Sequence, residues 1–166
     1  MEGKTHGPWY CQQLELGYNA RITDIQAALG YSQLQRIDEF VNRRQELVER
    51  YNEGLKNLPV TLPWQHPDTH SAFHLYVIRL KIKKVSKNHQ QVFEELLSAE
   101  IGVNLHYIPV HTQPYYQKLG FNEGDYPEAE CYYKEAITLP LFYELSEEQQ
   151  DYIIKTLKGI LGILET

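Results

Sequence analysis

The sequence predicts an α+β fold, a small sheet covered by helices and entered by a long helix. Three observations predict it. A helical apolar period runs from Thr23 to Leu58, only two stretches alternate as strands do, and a helix-start signal opens a final amphipathic segment at 146–164. With 166 residues and 42% hydrophobic side chains, the chain is the size of one domain and can bury a core.

Residues 1–16 have no period, carry Gly3, Gly7 and Pro8, and read as an extended arm with Trp9 and Tyr10 available to a partner. The first helix is expected to open on a capping box, with Thr23 as N-cap, Gln26 reaching back and Asp24 in the first turn. Ile25, Leu29, Leu34, Ile37, Val41, Val48, Tyr51 and Leu55 then space an apolar face as far as Leu58, ahead of Pro59. A helix over 23–58 is long for a globular domain and bridges two bodies or two subunits.

"PVTLPWQHPDTH" (59–70) reads as a proline-rich loop. "AFHLYVIRLKI" (72–82) reads as a strand with a phase break, Phe73, Leu75 and Val77 on one face and then Ile78, Leu80 and Ile82. A helix over 88–102 turns Val92, Phe93, Leu96 and Leu97 inward, with Gly102 as its left-handed exit. "VNLHYIPV" (103–110) is a second strand ending at Pro109, and 111–127 is an irregular tyrosine-rich loop. Pro127 starts a short helix, 137–145 is extended, and Ser146 with Gln149 makes a second capping box for the last helix.

The charge is −6, which argues against a nucleic-acid surface, since that needs a basic stripe. No apolar run reaches membrane-spanning length, and "MEGKTHGPWY" has no secretory pattern, so the expected place is the cytoplasm. Cys11 and Cys131 read as two free thiols. There is no G-x-S-x-G turn, no GxGxxG and no Walker loop. His106 and His111 alone do not match a structural zinc spacing, and no metal is expected.

Two segments carry candidate chemistry. "HYIPVHTQPYY" sets His106, Tyr107, His111, Tyr115 and Tyr116 at a strand end and in the next loop, where ligands usually meet a chain. It forms either an aromatic-walled polar pocket or an edge where rings simply pack. In "ELGYNARITDIQ", Asn19 and Arg21 precede a helix N-terminus whose amides lack intrahelical partners. That arrangement suits a phosphate. The alternative is that Arg21 pairs with a nearby acid and Asn19 caps its own turn, and the residues leave both open.

The same residues carry a family resemblance. "LGYNARITDIQAALGYSQLQRIDEFVNRR", "GVNLHYIPVHTQPYYQKLGF", "YPEAECYYKEAITLPLF" and "LSEEQQDYIIKTLKGIL" resemble the C-terminal part of the DegT/DnrJ/EryC1/StrS sugar aminotransferases. "GVNLHYIPVHTQPYY" is most similar to members that aminate C4 of a UDP-linked 4-keto-6-deoxy-N-acetylhexosamine on the way to pseudaminic acid. The resemblance implies the small domain of the aspartate-aminotransferase architecture, a homodimer, and pyridoxal phosphate carrying an amino group from glutamate to the keto sugar. It implies that Asn19 and Arg21 approach the cofactor phosphate of the other subunit, and that His106, Tyr107, His111 and Tyr115 lie beside the sugar nucleotide.

The sequence departs from the family's pattern at its cofactor lysine, which lies upstream of "GYNARITD" in the family and has no match before Gly17; Lys4 is in the wrong context. The expected organisation is therefore an arm at 1–22 belonging to a large domain not in this chain, a connecting helix at 23–58 and the small domain at 59–166. The expected partner is a second copy or a separate N-terminal half. A non-catalytic dimerisation or protein-interaction module is the competing expectation.

Overall fold

The computed structural model describes Tyr18 and residues 20–162. Among the described residues it is α+β, with six helices and one three-stranded sheet. Backbone contacts divide it into two units, one ending at Ile37 and the other beginning at Asp38.

In the first unit, α1 (Asp24–Leu34) starts as expected. The Thr23 side chain accepts the Gln26 N–H, and the Gln26 side chain accepts the Thr23 N–H at 2.9 Å. Unlike an ordinary surface helix, α1 has no apolar stripe. Ile25, Ala27, Ala28, Leu29, Tyr31 and Leu34 are spread around it, and none of its residues is buried.

The continuous helix expected over 23–58 is two helices. α1 ends at Leu34, residues 35–36 form a turn, and α2 runs Ile37–Leu55. At the break the Arg36 N–H bonds the Gln33 carbonyl, a tighter i−3 closure. Asp38 and Glu39 in the first turn of α2 favour a fresh N-terminus there, through the helix dipole.

In the second unit, α2 buries Leu47, Val48, Tyr51 and Leu55. Each such side chain contributes roughly 1.5–3 kcal/mol of apolar burial. The sheet runs β1 (Val60–Thr61), β2 (Tyr76–Leu80), β3 (Ala136–Leu139), antiparallel throughout, with Val60 opposite Leu80 and Ile78 opposite Ile137. β1 lies inside the stretch expected to be only a loop. β2 is shorter than expected and resolves the phase break: Tyr76, Ile78 and Leu80 face the core, so Tyr76 is inward and Val77 is not. Tyr51 and Tyr76 stack with centroids 4.8 Å apart. Their hydroxyls donate to the Pro140 carbonyl at 2.9 Å and to Asn52 Oδ1 at 2.7 Å. Burial raises both phenols' pKa values above the ordinary tyrosine value.

α3 (His89–Ser98) has a capping box of its own, Asn88 with Gln91. It ends earlier than expected, and its left-handed residue is Glu100 (φ 60°), not Gly102. The Glu100 N–H bonds the Leu97 carbonyl at 2.9 Å and the Ile101 N–H bonds the Leu96 carbonyl at 3.0 Å. This is a Schellman closure, with Ile101 buried beside Leu96.

The strand expected over 103–110 does not form. Asn104 makes a single bridge to Thr138, and the Leu105 N–H then turns to the Asn104 side chain at 2.7 Å. A local side-chain acceptor has replaced the ladder, and Pro109 has no N–H to resume it. Beyond it come a 3₁₀ turn at Val110–Thr112 and α4 (Pro114–Gln117), short elements inside the expected irregular loop. α5 (Pro127–Glu135) carries Pro127 in its first turn, and α6 (Glu147–Ile160) opens on the Ser146–Gln149 capping box. α6 lays Ile153, Ile154 and Leu157 into the core. No helix among the described residues is long and apolar enough to cross a membrane.

Candidate functional site

The single backbone bridge at Asn104 delivers residues 104–116 from the edge of β3 to the surface. Asn104 and Thr138 exchange backbone hydrogen bonds of 3.2 and 2.8 Å. That pairing sets His106 over β3, where its Nδ1 lies 2.8 Å from Thr138 Oγ1. The His106 ring meets Tyr107 edge-on, with centroids 4.6 Å apart and planes at 86°. Tyr107 itself is 71% exposed, so its phenol is presented outward.

A second cluster forms further along the loop. His111 is buried, and its Nε2 lies 2.8 Å from Glu130 Oε1 on α5. The same oxygen accepts the Gly124 N–H at 2.6 Å. An ionised carboxylate can only accept, so the imidazole donates. The His111 hydrogen bond, followed by the Gly124 N–H, holds the Glu130 carboxyl below its ordinary pKa. The rings of His111, Tyr126, Phe121, Tyr116 and Tyr115 follow one another at centroid distances of 4.8–6.4 Å. All of these rings but Tyr115 border a hollow of about 360 Å³ with Pro109, Val110 and Ala129. Tyr115, at the outer end of that chain, is 68% exposed.

The four loop residues expected at a substrate pocket therefore divide. His106 and Tyr107 make one cluster, and His111 belongs to another with Tyr115 at its rim. His111 works as a wall and a clasp, while Tyr107 and Tyr115 present free ring surface. Thr138, Glu130 and Tyr126, which orient or cover the two histidines, had no signal in the sequence. They come from elements 15 to 32 residues further along the chain. Arg21 is exposed, ahead of α1, in the other unit. Asn19, Cys11 and Lys4 lie outside the described residues. No group of three or more metal-ligating side chains occurs among the described residues.

Known proteins share this sequence and this fold. A model of the DegT/DnrJ/EryC1/StrS aminotransferase family matches residues 2–158. The spore coat polysaccharide biosynthesis protein SpsC of Bacillus subtilis is 37% identical over 160 residues, 95% of this chain and 41% of that protein. The UDP-4-amino-4,6-dideoxy-N-acetyl-beta-L-altrosamine transaminase of Campylobacter jejuni is 32% identical over 154 residues, 92% of this chain and 40% of that protein. Among solved structures, the pyridoxal-phosphate form of the putative sugar aminotransferase Spr1654 from Streptococcus pneumoniae superimposes with a TM-score of 0.81 at 33% identity. It covers 95% of this chain and 40% of that one. The chain thus spans about two fifths of the length of the curated relatives it matches. On sequence and fold together, this chain belongs to the DegT/DnrJ/EryC1/StrS aminotransferase family.

Proposed function

We propose that this chain is the small-domain portion of a pyridoxal-phosphate aminotransferase that moves an amino group from glutamate to a 4-keto-6-deoxy nucleotide sugar for glycan or surface-polysaccharide biosynthesis. The observation that carries the reading is the family match over residues 2–158, joined to a loop that presents Tyr107, beside His106, and Tyr115, further along, outward. Tyrosine rings with free hydroxyls suit a sugar nucleotide, since they offer both a face to stack on and a polar tip. His106, held by Thr138, and His111, held by Glu130, would fix the loop's shape, with His106 near enough to Tyr107 to address the ligand.

Pyridoxal phosphate supplies an electron sink and an amino-group carrier when bound. Of the groups it needs, the described residues offer only one that fits, the Arg21 guanidinium beside the α1 N-terminus, which suits its phosphate. Asn19 would join it there. No lysine of this chain stands in the sequence context of the family's covalent anchor. We therefore assign residues 1–22 to the edge of a lysine-bearing domain, 23–58 to the connection and 59–166 to the substrate-facing small domain. This chain alone would be inactive.

The test is to incubate the whole chain with equimolar pyridoxal phosphate, reduce with borohydride and map peptides by mass spectrometry. Scattered traces on surface lysines are expected. One lysine modified to completion would overturn the proposal.

A specific observation favours a second role, association. Ile25, Leu29 and Leu34 of α1 are 84%, 62% and 61% exposed on a helix that buries none of its residues. Such a helix calls for a cover, and we assign that cover to a second copy or to the lysine-bearing half. Sedimentation equilibrium should find self-association that Leu29→Glu abolishes. A monomer at every concentration would count against the second copy.

A further inference from the structure

The most uneven charge in the sequence lies where the proposed site makes no use of it. Between Thr69 and Phe93 the chain carries Arg79, Lys81, Lys83, Lys84 and Lys87 and no carboxylate, in a protein of net charge −6. The structure separates these five cations by what they already hold. Arg79 gives two hydrogen bonds to Glu135 Oε2, at 3.0 and 2.8 Å, and Lys87 pairs with Glu95 at 2.6 Å. Lys81, Lys83 and Lys84 surround the 3₁₀ turn that follows β2. All three are exposed, and none makes an ion pair or a side-chain hydrogen bond with another described residue.

These three lysines line one wall of a cleft of about 640 Å³, and one face of α5 forms the other. That face, 127/130/131/134/135, follows helical spacing and adds Lys134, a fourth ammonium, which makes no hydrogen bond to another described residue and acts on Glu130 only through its charge. Two carboxylates also border the cleft: Glu135 is balanced by Arg79, while Glu130 keeps its charge beside Lys134. Glu130 accepts from His111 and the Gly124 N–H, and Glu135 accepts from Arg79 and the Cys131 thiol. Four ammonium groups thus share a concave surface with one carboxylate, Glu130, that no cation outside the cleft balances, beside apolar Ile82 and Pro127.

We infer that this cleft binds an organic diphosphate. Lysine holds phosphate as a point charge, and charge-assisted contacts of this kind are the strong ones. With Glu130 counted, the four lysines leave about three positive charges; a single phosphoryl group carries about −1.5 to −2 and would leave part of them unmatched, whereas two phosphoryl groups supply about −3 or more. The volume lies within the range of about 300–1,000 Å³ usual for small-molecule sites. Ile82 and Pro127 give an attached ring or apolar body something to cover. The inference stands on this cleft alone and does not depend on the aminotransferase reading.

The test is calorimetric titration of the full chain with pyrophosphate, ADP, inorganic phosphate and adenosine as probes, at low and physiological salt. Pyrophosphate and ADP are expected to bind one to one. Phosphate should bind at least about tenfold more weakly and adenosine not at all. ADP tighter than pyrophosphate supports the apolar contact; equal affinities overturn that part and leave a site for inorganic diphosphate. K83E/K84E should lose at least about tenfold in affinity, while K118E, at a lysine outside the cleft, should bind as the wild type does. Should K83E/K84E melt early, K134Q reads the same loss on the opposite wall. Equal affinity for phosphate and pyrophosphate, wild-type binding by both cleft variants, or equal loss in K118E would each overturn the inference.

Discussion

Gly54 sets how closely α2 and α6 approach. A Cβ at Gly54 would lie 2.8 Å from Ile154 Cδ1, 3.1 Å from its Cγ2 and 3.4 Å from its Cγ1. Non-bonded carbons sit best at about 3.5–4.0 Å, so an added methyl must displace Ile154. That residue has little room to move, because it is buried and β-branched, and a helix holds such a side chain to one χ1 rotamer. Gly54→Ala gains about 0.8–1 kcal/mol of helix propensity and loses about 1–3 kcal/mol to overpacking, a net loss of up to about 2 kcal/mol. Ile154→Val removes Cδ1, the worst contact, and alone costs about 0.5–1.5 kcal/mol. Combined with Gly54→Ala, it relieves the clash, so the double variant should be more stable than the sum of the singles by about 1 kcal/mol. Urea unfolding of wild type, both singles and the double closes the cycle, provided m stays constant. Gly30→Ala is the internal comparison: nothing lies within 4 Å of its added Cβ, so only the propensity gain should appear, as increased helix signal. Additivity of the two substitutions, or a Gly54→Ala protein more stable than wild type, would refute the close approach.

Three further outcomes are expected. The Glu130 carboxyl is held below its ordinary value of 4.5, so its contribution is present above that pH and fades as pH falls through the depressed value. The Tm gap between wild type and Glu130→Gln should be widest above pH 4.5 and close below it, and a gap independent of pH would show that the clasp is not ionic. Glu100 holds a left-handed conformation at the exit of α3, so Glu100→Gly should stabilise the chain by up to about 1 kcal/mol, measured by urea midpoint. Thr138→Val deletes the hydroxyl beside His106 Nδ1 at about 1 kcal/mol, and the ¹⁵N ring shifts of His106 should move toward mixed tautomers. Unchanged shifts would mean that the hydroxyl does not orient the ring.

The starts of α1, α5 and α6 are legible in the sequence because a cap is a local device. Thr23 with Gln26, Ser146 with Gln149, and Pro127 in a first turn need only three or four residues to declare themselves. The family motifs are legible for the same reason, as short runs of fixed spacing. Where the first helix breaks is not legible, since the apolar period continues through residues 35–36 and only a backbone hydrogen bond marks the turn. The segment 103–110 has strand composition, yet pairing is a tertiary event. Asn104 found Thr138 once, and then its own side chain took the next amide.

By itself the sequence determined the family, the helix starts and the presence of two histidines and several tyrosines in one loop. The tertiary structure decided what each of those rings does. Thr138 reaches His106 from 32 residues away and Glu130 reaches His111 from 19, separations that no local period encodes. Those pairings leave Tyr107 and Tyr115 as the exposed faces of the loop and make His111 part of its wall. The same long-range packing brings Lys134 on α5 opposite the lysines after β2. Charge along a chain becomes a site only when the fold closes a surface around it.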